Sequence, residues 1–267
     1  MIAICSLCKN VNPYINEWVA WHLSIGFDHI FLSDNNDANT PYVGDFINPE
    51  YMDRVTITHF ETIDDRTVCE RQSQNINEFM QKHHETVEWC AFIDSDEFIH
   101  INKPSVHDWL DNAPSEVECV ALNWRMYGDD DIIVGDESVP VQERIVKCLD
   151  SKFRNNETYY YCMCKKIIRL KPDIKAYDMF LFHRDGAYID MYDYTFKPQG
   201  KCAVLLTDEN ILNFECFINH YITKTLSECI KYKCSDLWGI NTLEDYFFRF
   251  NERTPEKEKY LVEHYKP

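Results

Sequence analysis

Glycine is scarce in this chain, with seven residues in 267. None are spaced as GxGxxG or GxxxxGK(S/T), the loops that let a backbone approach a phosphate closely, so a Rossmann dehydrogenase and a P-loop NTPase are both excluded. Positive charge is short as well. The 27 Lys and Arg face 45 Asp and Glu, a formal net charge of −18, and nucleic acid, which selects basic surfaces, is not an expected partner. No apolar run approaches the ~20 residues of a membrane span. The opening Met1-Ile2-Ala3-Ile4-Cys5 runs straight into a strand pattern and not into a charged and then apolar leader, so a cytoplasmic location with reduced thiols is expected. Twelve cysteines are present, among them Cys5-Ser6-Leu7-Cys8 and the pair Cys162 and Cys164. A zinc site needs four convergent ligands, and Cys5 falls inside a strand, so buried or incidental thiols are the expected reading.

What the chain does have is alternation. Residues 1–7, 28–33, 55–60 and 88–93 read as strands. Residues 16–25, with Trp18, Trp21, His22 and Ile25 at helical spacing and Gly26 behind them, and residues 65–84 read as helices. Strand and helix in turn predict βαβ units and a mostly parallel sheet. Beyond residue 100 the expectation is a strand over 117–124, a loop at Asp129-Asp130-Asp131, and paired strands over 142–147 and 159–169. A short strand over 180–183, helices over 210–230 and 242–250, and a charged peripheral tail from Arg253 complete it. With 45% hydrophobic residues and no low-complexity linker, one α/β domain is expected over 1–267.

The most informative segment is Asp94-Ser95-Asp96-Glu97-Phe98, directly after the apolar run Trp89-Cys90-Ala91-Phe92-Ile93. Strand ends in open α/β sheets are where ligands bind, and an unpaired buried carboxylate is expensive. A hard divalent cation bridging carboxylates and phosphates would resolve that cost, and would supply the local positive charge that an acidic chain lacks. Alone, an Asp-x-Asp is more often a solvated strand-end turn, so the flanking residues decide.

Those residues are Lys9-Asn10, Tyr14-Ile15, Glu17-Trp18, His22, Gly26-Phe27-Asp28-His29, Asp34-Asn35, Gln72 and Asn77. After the Asp-x-Asp come Asn123-Trp124-Arg125, Gly128, Glu143-Arg144, Lys165, Ile167, Arg169, His183, Asn219-His220-Tyr221 and Lys224-Thr225. In this order, over residues 1–235, the chain resembles the family 92 glycosyltransferases and their family 2-like relatives. It departs from them at Val11, where Glu is usual, at the acidic run Asp129–Asp131, and at Cys234-Ser235, where Arg-Gly is common.

The resemblance implies a GT-A fold, with a nucleotide-sugar-binding half over 1–100, an acceptor-side half over 101–235, antiparallel additions in the C-terminal half and a helical tail over 236–267. It implies transfer of a hexose or pentose, helped by Mn²⁺ or Mg²⁺, from a nucleotide-sugar donor to a glycan or lipid-linked acceptor, with UDP the default carrier. A lipid-linked acceptor would be the chain's sole connection to a membrane. Asp96 is the first candidate metal ligand, with Asp94 on ribose, metal or a bound water, and with His220 or His183 as the third ligand. Lys224, one helical turn after His220, would meet the phosphates. Cys8, Lys9, Asn10, Asp34, Arg71 and Ser95 are candidate nucleotide contacts, and Gln72 and Asn77 would brace the Asp-x-Asp. Glu97 would face the sugar side, and the acceptor base is sought among Asp129, Asp130, Asp131, Asp185 and Asp208. A metal-dependent nucleotidyltransferase or phosphohydrolase, or a non-catalytic nucleotide-sugar-binding module, would also place carboxylates at a strand end.

Overall fold

The computed structural model describes residues 1–61, 67–111, 113, 115, 117–149, 164–177, 182–184, 187–189, 216–233 and 240–265. The first half is built as its alternation predicts: β1 (Ile2–Cys8), α1 (Ile15–Ser24), β2 (His29–Asp34), β3 (Val55–His59), α2 (Val68–His83) and β4 (Trp89–Phe92). Along β1, Ile2 and Ile4 join one apolar cluster with Trp18 and Val19 of α1. Ala3 and Cys5 join another with Ile76, Phe79 and Met80 of α2. The alternation of the strand thus buries both faces of the sheet, each under its own helix. A capping box between Thr67 and Glu70 fixes where α2 begins.

The remaining strands are β5 (Glu97–Ile101), β6 (Cys119–Tyr127), β7 (Cys164–Arg169), β8 (Lys175–Ala176), β9 (Phe182–Arg184), β10 (Ala187–Ile189) and β11 (Cys216–Tyr221). Eight of the eleven described strands form one mixed sheet in the order β3-β2-β1-β4-β7-β6-β11-β5, and β10-β9-β8 form a small second sheet. In the large sheet β7 is antiparallel to both β4 and β6, and β5 is antiparallel to β11, while the other neighbours are parallel. Helices Leu226–Tyr232, Leu243–Phe250 and Pro255–His264 close the chain.

Four expectations are corrected. Residues 142–147 do not form a strand: Val141–Arg144 is a single helical turn, and β7, which begins at Cys164, inserts between β4 and β6. Residues 216–221 are strand and not helix, because their apolar positions are buried between two strands. Lys224 therefore follows a strand, in a left-handed backbone conformation at φ 54°, and does not lie one helical turn after His220. The tail is not wholly peripheral, since Lys257 and Leu261 are buried. An additional strand, β5, begins inside the acidic motif itself.

Edge strand β5 is covered by α1 through side-chain hydrogen bonds to its backbone. Trp18 Nε1 donates to Glu97 O at 2.7 Å and Trp21 Nε1 to Ile99 O at 2.8 Å. Ile99 N donates to His22 Nε2 at 3.2 Å. His22 must be neutral to accept there, and burial pushes its pKa down to about 3. Satisfying an edge in this way blocks further strand pairing. Among the described residues no helix is long and apolar enough to cross a membrane.

Gly26 ends α1 at φ +102°, and a Cβ there would lie 2.9 Å from Ser105 Cβ and 3.4 Å from Val106 N. Gly26→Ala combines left-handed strain with a steric clash, and is expected to cost about 1–3 kcal/mol. The measurement is the urea unfolding midpoint, and an unchanged midpoint would contradict this close approach.

Candidate functional site

The chain runs β1, β2, β3 outward and then returns to lay β4 on the other side of β1. This reversal is a topological switch point, and in open α/β sheets the crevice beyond the carboxyl ends of such strands is the ligand site. The carboxyl ends here carry Cys8–Asn10 after β1, Asp34 at the end of β2 and Asp94 after β4.

Residues 94–97 form a tight turn. Glu97 N donates to Asp94 O at 3.1 Å, and Asp94 N donates to Glu97 Oε2 at 2.9 Å. Tyr221 N of β11 donates to Asp96 O at 3.0 Å. The side chains meet cations and donors from four elements. Lys165 of β7 has no exposed side-chain surface and lies 2.8 Å from Asp94 Oδ2 and 3.4 Å from Glu97 Oε1. Gln72 of α2 donates to Asp94 Oδ1 at 3.0 Å. Lys233, just after helix Leu226–Tyr232, lies 2.6 Å from Asp96 Oδ2. His220 of β11 brings Nε2 to 3.5 Å from Asp96 Oδ1, with Nδ1 at 4.0 Å from Glu97 Oε1.

These contacts set the protonation states. Burial alone would raise the Asp96 carboxyl, but the charges of Lys233 and Lys224 hold it well below the usual carboxylate range. Burial pushes Glu97 up to about 8, a rise that Lys165 only partly offsets. Burial also pushes His220 down to about 3. An ionised carboxylate beside a neutral imidazole is the donor chemistry a divalent cation requires. Among the described residues, however, no three His, Cys, Asp or Glu side chains converge as a cage. Asp94 is held by Gln72 and Lys165, and Asp96 and His220 are the residues that could hold an ion. A pair of this kind would suit an ion that takes its remaining ligands from elsewhere, as Mg²⁺-type sites commonly do.

The other predicted residues are distributed as follows. Cys8 is buried, its thiol donates to Ser33 O at 3.4 Å, and burial raises its pKa strongly. Burial likewise pushes Cys5 up to about 12, and both are free thiols. Lys9 pairs with Asp37 at 2.9 Å. Asn10, at φ 57°, donates its N–H to Asn36 Oδ1 at 2.8 Å. Asp34 accepts from Asn36 N at 3.0 Å and Val43 N at 3.3 Å, so it organises its own loop. Arg71 precedes Gln72 on α2, and Ser95 is buried in the turn. Asn77 braces β8 and not the Asp-x-Asp, bonding both N and O of Ala176. Glu97 is wholly buried and locks the turn.

Asp129 is buried 2.6 Å from Lys257, and Asp130 pairs with Lys147 at 2.8 Å, while the Asp131 side chain is 67% exposed. His183 lies in β9 of the small sheet. Asp185 and Asp208 lie outside the described residues. Lys165 and Lys233 had no role assigned from the sequence. For Lys165 a signal exists, since a Lys-Lys pair inside an apolar strand requires buried partners.

No family model matches the chain. A 99-residue stretch, 37% of the chain, is 25% identical to the "Glycosyltransferase family 92 protein Os08g0121900" of Oryza sativa subsp. japonica. The matched stretch spans 16% of that rice protein's length.

Beneath the site, a buried network joins α1 to helix Leu226–Tyr232. Arg144 donates to both carboxylate oxygens of Glu228 at 2.6 and 2.5 Å, and Tyr14 Oη donates to Glu228 Oε1 at 2.8 Å. Burial opposes ionisation of Glu228, but its hydrogen bonds from Arg144 and Thr225 outweigh that and hold its pKa at about 2. The unfolded value is about 4.3. The folded pKa lies below the unfolded one, so this stabilisation is complete above pH ~4.5 and is lost as pH falls toward 2. The difference in urea stability between wild type and Glu228→Gln should therefore narrow across that window, and a constant difference would contradict it. Arg144→Ala, which leaves the buried carboxylate unpaired, is expected to cost about 3–5 kcal/mol.

Proposed function

We propose that this chain is a glycosyltransferase of GT-A type, moving a sugar from a nucleotide-sugar donor to a hydroxyl of a glycan or lipid-linked acceptor. The observation that carries the reading is the Asp94–Glu97 turn at the β1/β4 switch point, where carboxylates and lysines converge. The local similarity to a protein named as a family 92 glycosyltransferase supports it.

Glycosyl transfer asks a site to stabilise a departing diphosphate and to accept the acceptor's proton. Asp96 and His220 would hold a Mn²⁺ or Mg²⁺, which, when bound, supplies Lewis-acid neutralisation of the diphosphate. Lys224 is buried near Asp96, its pKa is lowered by burial, and its ammonium stands 4.7 Å over the Tyr14 ring. It contributes fixed positive charge on the same side. Cys8–Asn10 and the Asp34 loop form the floor for base and ribose. Lys165 and Gln72 hold Asp94 in place, so the turn does not reorganise as charge develops. On the acceptor side, Asp131 is the most exposed of its acidic run and the one assigned as base.

The test is calorimetric titration of UDP and GDP in the presence and absence of Mn²⁺. Binding of one of them is expected to need the metal, and Asp96→Ala is expected to abolish the metal dependence and weaken binding at least tenfold. Equal affinity with and without metal, or no binding of either, would overturn the reading.

A further inference from the structure

Three lysines surround the Asp94–Glu97 turn, and their surroundings differ. Lys165 is fully enclosed between Asp94 and Glu97 and is committed to holding the turn. Lys224 is 7% exposed. The Lys233 side chain is 28% exposed, and among the described residues its ion pair is with Asp96, at 2.6 Å. It is thus the lysine of the three that solvent, and therefore a ligand, can reach most readily.

The backbone holds Lys233 firmly. Its N–H donates to Cys229 O at 3.0 Å, and it ends a helix anchored at the other end by the Thr225–Glu228 capping box and by Arg144. Lys224 and Lys233 thus bracket one fixed helix, and both act on Asp96. Asp94, Asp96 and Glu97, the last pushed up to about 8 by burial, face three lysines in a chain whose formal charge is −18. An anionic ligand entering an acidic protein needs such a local surplus or balance of positive charge.

We propose that Lys233 is a diphosphate-binding residue of the donor site, its ammonium passing from Asp96 Oδ2 to a phosphate oxygen when the donor enters. This rests on the reading of the turn as a nucleotide-sugar site. A phosphate oxygen offers the ammonium the same kind of charge-assisted hydrogen bond that the carboxylate does. A lysine acts as a point charge on a flexible stem, so the move needs no backbone change.

The experiment titrates Mn²⁺ alone, and then inorganic pyrophosphate, UDP and GDP with Mn²⁺, into wild type, Lys233→Met and Lys233→Arg. Lys233→Met should weaken diphosphate binding at least tenfold while binding Mn²⁺ no more weakly than wild type, because Asp96 loses a competing cation. Lys233→Arg should recover most of the diphosphate affinity. Wild-type binding retained undiminished in Lys233→Met would overturn the assignment and leave the parent reading standing. So would equal losses in the Met and Arg variants, or a loss of Mn²⁺ and diphosphate binding together with a fall in thermal midpoint, since each marks a structural role. If wild type binds none of the three diphosphates, the parent reading falls and this one with it.

Discussion

The architecture depends on one constraint: three carboxylates packed into a four-residue turn, two of them almost wholly buried. Asp96 and Glu97 are 8% and 0% exposed, and charges so placed must be paired or neutralised. Lys165 meets that requirement for Asp94 and Glu97, and it can do so because β7 runs antiparallel between β4 and β6 and brings a lysine under the turn. The remaining elements complete the enclosure. Gln72 comes from α2, Trp18 from α1, His220 and the Tyr221 amide from β11, and Lys233 from the end of the helix that follows. Helices α1 and α2, strands β7 and β11 and the end of helix Leu226–Tyr232 therefore each send at least one group to residues 94–97.

The same constraint separates holding from binding. The oxygens of Asp94 and Glu97 face inward, to Gln72, Lys165 and backbone, while Asp96 presents one oxygen to His220 and the other to Lys233. Asp96 is thus the carboxylate whose partners can exchange. Around it, neutral His220 and the bracket of Lys224 and Lys233 make a positive centre within an acidic chain. This arrangement would suit the proposed donor, whose leaving group is a diphosphate.

The first hundred residues were largely legible because their physics is local. Apolar runs of strand length alternate with amphipathic helices, and Gly26 marks where α1 must turn. The second half was less legible because its structure is set by long-range pairing. The segment 216–221, Cys-Phe-Ile-Asn-His-Tyr, has no periodicity of its own that separates strand from helix, and burial between β6 and β5 decides the matter. Residues 142–147 carry too few apolar positions to hold a strand, and the turn is fixed by Glu17, whose carboxylate accepts from Val141 N at 2.8 Å. In the site, Asp94, Asp96 and His220 stood out by residue type. The pairing of the cations that hold the site was not legible, because Lys165 is 71 residues from Asp94 and Lys233 is 137 residues from Asp96. Lys257, in a tail read as peripheral, likewise has its partner Asp129 far away in sequence.

The most direct measurement of the central claim is turnover. Wild type and Asp96→Ala are incubated with a panel of UDP- and GDP-sugars and Mn²⁺, and nucleoside diphosphate, free sugar and orthophosphate are quantified separately. The account predicts that at least one donor is cleaved between sugar and diphosphate, with water as a slow acceptor, and that this cleavage is lost in Asp96→Ala. Release of orthophosphate, cleavage undiminished in the variant, or no cleavage of any donor would contradict it.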